Sequence, residues 1–154
     1  MNKFRSIYLL LIVALIGLGD ATYLTIMHYV NRIPECSIIH GCEIVLTSQY
    51  ATIAGVPISA AGALFYALMF TLLYGAISGP TVKNMKFPML LATAGMIVTL
   101  VLLYIQTFVI KAYCQFCVLS AITSFCLFIG ILPLYLKLKK NIQLPPNSTP
   151  NPGI

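Results

Sequence analysis

Four cysteines in two tight pairs carry the chemistry this sequence can be expected to do. Cys36 and Cys42 bracket the segment CSIIHGC, and Cys114 and Cys117 form the motif CQFC. Paired thiols open and close as disulfides, and exchange runs through mixed disulfides, so two neighbouring dithiols make a route for electron pairs. A CxxC at a helix start puts its first sulfur near unpaired N–H groups and the positive end of the helix dipole, which stabilises the thiolate. Cys114 holds that position. Cys117 lies about one turn further along, toward an apolar run, where its sulfur can close the disulfide or meet an apolar oxidant. The C-x5-C spacing of Cys36 and Cys42, with Gly41 between them, allows a small disulfide loop or one cysteine held toward each of two partners. Together the pairs suggest a relay between thiols and something dissolved in a bilayer.

Other uses of four cysteines fit less well. A structural zinc site commonly repeats a C-x2–4-C spacing, and only CQFC has it, so no metal is expected. Two static disulfides in a non-enzymatic membrane scaffold are the alternative reading. Cys126, well inside the last apolar run, reads as a packed small hydrophobe.

The elements that must position these cysteines are membrane helices. Among 154 residues, 60% are hydrophobic and 8% charged, with no Trp, against about 25% charged residues in a soluble domain. Four runs are nearly free of charge: Ile7–Tyr29, Val56–Ile77, Phe87–Ile110 and Phe116–Leu136. Each reaches the roughly 20 residues that a helix needs to span hydrocarbon. The runs are continuously apolar and do not alternate, which excludes a barrel. The first is too long for a signal peptide and lacks a clean A-x-A site. The expected fold is an all-α integral membrane bundle of four helices, formed by residues 1–140. The Pro-rich residues 141–154 are expected to form a flexible tail.

The net charge of +6 reflects topology; no basic stripe or stacking aromatics point to nucleic acid. Lys3, Arg5, Lys83, Lys86, Lys137, Lys139 and Lys140 fall on one side of the bundle, and only Arg32 and Lys111 on the other. The positive-inside rule then puts both termini in the cytoplasm, N-in and C-in. The loop between helices 1 and 2, and both cysteine pairs, would face an exterior where disulfides persist. An inner, cytoplasmic membrane is the expected location.

Several further residues are candidates. Asp20 is a carboxyl within a membrane helix, which is costly and usually has a role: a hydrogen bond inside the bundle, or proton transfer to a quinone. Ser48, six residues past Cys42, could hydrogen-bond a thiolate or a quinone oxygen, or simply close a turn. The segment EIVLTSQY around it reads as a short helix. His40 could favour a nearby thiolate when protonated, and His28 marks the end of the first helix. Gly62, flanked by small residues in SAAGALFY, reads as a close helix-packing face.

The C-x5-C loop after the first helix, the run CEIVLTSQYATIAGVPISAAGALFY and the CxxC opening the last helix resemble the vitamin K epoxide reductase family, its bacterial members above all, over residues 7–137. In the disulfide bond formation B family the two pairs come in the reverse order. The resemblance implies a quinone-dependent thiol–disulfide oxidoreductase, with four helices around a ubiquinone or menaquinone. Cys36, Cys42, Cys114 and Cys117 would be its catalytic residues, and Ser48 and Asp20 candidates beside the quinone. It also implies that Cys42 exchanges with a thioredoxin-like or DsbA-like partner in the periplasm, that Cys36 attacks Cys114, and that Cys117 delivers electrons to the quinone. Many bacterial members carry a fused thioredoxin-like domain; this sequence has none, so a separate partner is expected. Animal members hold their vitamin K ring with an Asn and a Tyr, where this chain has Ile58 and Ala121.

Overall fold

A computed structural model describes residues 3–34, 36, 41–53 and 55–143. Four long helices dominate it: α1 (Lys3–Tyr29), α3 (Ile58–Gly75), α4 (Val82–Tyr104) and α5 (Gln115–Gln143). All four are long and apolar enough to cross a membrane, and the chain is a multi-pass membrane protein of the all-α class. Between α1 and α3 lie the short helix α2 (Cys42–Leu46) and a two-stranded hairpin, β1 (Thr52–Ile53) and β2 (Val56–Pro57).

The helix ends follow local chemistry. The apolar run at 56–77 yields its helix only from Ile58, because Val56 and Pro57 pair antiparallel with Thr52 and Ile53. Gly55, with φ at 82°, makes the turn between the strands. Helix α4 starts five residues before its uncharged run, because the Thr81 side chain accepts the Asn84 amide at 3.3 Å and caps the first turn. Helix α5 continues through Lys137, Lys139 and Lys140, since lysines form helix well and suit the negative end of the dipole. It thereby takes in residues 141–143 of the expected tail. Residues 144–154 lie outside the described residues, as does His40.

Helix α1 packs on α3 and α5, and α4 packs on α5 and α3. The core they share includes Ile7 and Ala14 of α1, Tyr66 and Met69 of α3, Met85 of α4, and Leu127 and Ile131 of α5. Gly62 does face Ala21 across α1 and α3, but at ordinary contact distance. The tighter approaches fall elsewhere: Gly17 lies under the Tyr66 ring, Gly95 under Phe65, and Gly130 against Leu10. The Tyr66 hydroxyl reaches the Ser120 carbonyl at 2.8 Å and the Thr123 hydroxyl at 2.7 Å, joining α3 to α5.

One irregularity bears on the site. After Tyr104, α4 continues as a π-helical turn over Ile105–Ile110. Lys111 then takes a left-handed conformation, φ 55°, and the Ala112 amide donates to the Gln106 carbonyl at 3.3 Å. The chain reverses there and enters α5.

Candidate functional site

Cys114 is the residue immediately before α5, and its carbonyl accepts the Val118 amide at 3.0 Å, the first hydrogen bond of that helix. The expected helix-start position is therefore the observed one. The Cys114 thiol is held down to about 7, first by a hydrogen bond from the Cys117 thiol and then by the backbone amides of Cys117 and Phe116. The free N–H groups of a helix start stabilise a thiolate in this way. Both Cys114 and Cys117 are free thiols, whereas Cys36 and Cys42 are joined in a disulfide with a Cα–Cα distance of 6.1 Å.

The two pairs share one cluster. Cys42 is 2% exposed and Cys114 fully buried, and both pack with Val45 and Ala112, while Cys36 and Cys117 lie at its edge. The loop reaches Cys114 through Gly41, which lies on the backbone of Tyr113. A Cβ at position 41 would stand 2.6 Å from the Tyr113 carbonyl oxygen, so glycine is required by close approach here. Cys42 is the more buried of the two loop cysteines and packs in one cluster with Cys114, while Cys36 lies at its edge.

Below the cluster a cavity of about 670 Å³ opens between α1, α3, α4 and α5. This lies within the range of small-molecule sites, about 300–1,000 Å³. Cys117 lines it, together with both expected candidates, Asp20 and Ser48. Asp20 is 8% exposed, and neither carboxyl oxygen has a hydrogen-bond partner among the described residues. No bundle hydrogen bond thus accounts for it. Ser48 donates to the Val45 carbonyl at 2.7 Å, which is the turn-closing role, while still bordering the cavity. His28 stands at the wall as well, edge-on to Tyr29. Cys126 is exposed on α5 and does not pack in the core, unlike the buried hydrophobe expected.

Two cavity residues escaped the sequence reading. Gln106 is 5% exposed and Ser124 3%. The Gln106 Oε1 and Ser124 Oγ are buried without a hydrogen-bond partner among the described residues. The Gln106 side chain also hydrogen-bonds the Cys117 thiol. A polar residue interrupting an apolar run was the available signal. Ile58 and Ala121 both line the cavity, so those walls are apolar; among the polar lining residues, Asp20, Gln106 and Ser124 carry buried oxygens with no partner among the described residues. The chamber is largely apolar and lies beside the Cys117 thiol, and the buried Ser124 hydroxyl, or the Asp20 carboxyl when protonated, can donate to a ring carbonyl, so the lining fits a quinone. A profile of the Vitamin K epoxide reductase family matches residues 8–132, most of the chain including all four paired cysteines, and the protein belongs to that family of membrane disulfide oxidoreductases.

Proposed function

We propose that the protein oxidises the dithiol of a thioredoxin-like partner and passes the electrons to a membrane quinone, supporting disulfide formation outside the cytoplasm. The observation that carries this reading is the buried contact region of Cys42 and Cys114 directly above a cavity lined by Cys117. The Lys and Arg distribution supports N-in, C-in topology with the cysteines outside. Residues 1–140 would act as one membrane domain.

Cys36, the less buried loop cysteine, is open to attack by the partner thiolate. The partner leaves as a disulfide, and Cys36 and Cys42 become thiols. Cys42 then attacks Cys114 in the Cys114–Cys117 disulfide, and Cys117 departs as a thiolate. Cys36 resolves the Cys42–Cys114 bond and expels Cys114, a good leaving group because its thiolate is stabilised. The loop is again a disulfide and the CQFC pair is reduced, the pattern this structure displays. A bound quinone supplies a two-electron acceptor. Cys117 lines the cavity that would hold it, Cys114 would close the disulfide, and Asp20, at the cavity wall, would be placed to hand over a proton.

The test is trapping. In a Cys36→Ser, Cys117→Ser variant, partner-independent oxidation should give a Cys42–Cys114 disulfide on a non-reducing gel after peptide mapping. The Cys42→Ser, Cys117→Ser variant should give little Cys36–Cys114. The opposite yields would restore the roles implied by the resemblance. No cross-link in either would argue for static disulfides.

A further inference from the structure

Gln106 is over-determined for a mere filler of the bundle. It sits in the one π-helical turn among the described residues, and such turns are frequent at functional sites. Its own carbonyl receives the Ala112 amide as the chain turns toward Cys114, and its side chain hydrogen-bonds Cys117. Yet its Oε1 is buried at the cavity with no partner among the described residues, and a buried acceptor left unpaired is costly. An amide oxygen accepts hydrogen bonds and cannot donate them. A ligand carrying an O–H or N–H would satisfy it.

A quinone has carbonyl oxygens and offers no donor; its reduced form has two hydroxyls. We propose that Gln106 is a positioning residue that recognises the reduced ring, its Oε1 accepting the hydroxyl that forms beside Cys117. This rests on the quinone reading above and adds to it a side chain that distinguishes the two oxidation states. In the step concerned, the Cys114 and Cys117 thiols lose two electrons and two protons, the Cys114–Cys117 bond forms, and the two ring oxygens become hydroxyls. An interaction available only as the hydroxyl forms favours the forward chemistry and not ground-state binding. Asp20 and Ser124 leave further unsatisfied oxygens deeper in the same chamber.

The experiment measures binding without turnover, in a Cys117→Ser background, by tyrosine fluorescence quenching with a short-chain ubiquinone and its hydroquinone. Adding Gln106→Met should weaken hydroquinone binding about tenfold, a loss the size of one good hydrogen bond. Quinone binding should stay within about twofold. With Cys117 intact, Gln106→Met should lower kcat and leave the KM for quinone nearly unchanged. Gln106→Asn, which withdraws the amide by one methylene, carries the same comparison if Gln106→Met does not purify folded. Equal weakening of both ring forms, or of neither, would overturn the proposal. A Cys117→Ser protein that binds neither form before Gln106 is touched would instead overturn the quinone reading, and this inference with it.

Discussion

Gly41→Ala should uncouple the two cysteine pairs while leaving the membrane bundle intact. The added Cβ would lie 2.6 Å from the Tyr113 carbonyl oxygen and 3.2 Å from the Tyr113 nitrogen. Comfortable heavy-atom contacts fall near 3.5–4.0 Å, so the loop must withdraw by roughly 1 Å. Both opposing atoms are main chain and cannot rotate away. Cys42 is the next residue, and the displacement passes to its sulfur. Overpacking of this kind costs about 1–3 kcal/mol, and a misplacement of about 1 Å at a reacting atom can cost on the order of 100-fold in rate. Gly41 takes no part in the α1–α3–α5 core, so thermal unfolding of the bundle should barely change. The assay is rapid acid quench and thiol labelling after mixing reduced protein with quinone, then with a reduced dithiol, following electron transfer from the loop pair to Cys114–Cys117. A slowing of about 10–100-fold is expected, with quinone affinity unaltered. Transfer within about twofold of the parent protein would refute the close docking of the loop as the basis of the relay.

The remaining expectations concern the dithiol, the cavity and the core. In reduced protein, the ultraviolet thiolate absorbance of Cys114 should rise with pH through about 7, below the ordinary cysteine value of about 8.5. The depressed value keeps the charged form present down to that pH and loses it below. In Cys117→Ala the midpoint should move up, because the Cys117 hydrogen bond is the largest cause. Asp20→Leu removes two buried oxygens that have no partner among the described residues and should raise unfolding stability in detergent by about 1–2 kcal/mol, with quinone reduction falling at least about tenfold. Lost stability with retained turnover would contradict that assignment. Tyr66→Phe breaks the bonds to Ser120 and Thr123 and should cost about 1–3 kcal/mol in the same unfolding measurement.

The four helices were legible because each apolar run is long enough to span hydrocarbon and no other use of such a run fits water. Cys114 at the start of α5 was legible for the same reason: the apolar run begins within CQFC, at Phe116. Ends were less so, since Thr81 capping, the Pro57 hairpin and the lysine turns of α5 act through hydrogen bonds and dipoles that hydropathy ignores. Asp20 and Ser48 were visible as oddities of residue type, and both reach the cavity. Gln106 and Ser124 were not singled out, because each is a single polar residue in an apolar run with no spacing pattern behind it, and hydropathy does not reveal the π-helical turn that holds Gln106. The burial of Cys42 over Cys36 was equally hidden: it depends on Gly41 meeting the Tyr113 backbone, a contact between segments far apart in sequence. The fit of small to large at Gly17, Gly95 and Gly130 likewise needs the partner helix to be known.

The most direct test of the relay is stoichiometric quinone reduction by the pre-reduced, purified protein, followed by quinol absorbance with no partner present. With both pairs reduced, the intact protein should reduce about two quinones, one for each dithiol, and leave both pairs as disulfides, since each two-electron exchange consumes one dithiol. Cys117→Ala should reduce none, and Cys36→Ser should stop after about one, because the loop can no longer return Cys114–Cys117 to thiols. Quinol formation that persists in Cys117→Ala, or its absence from the intact protein, would contradict the account.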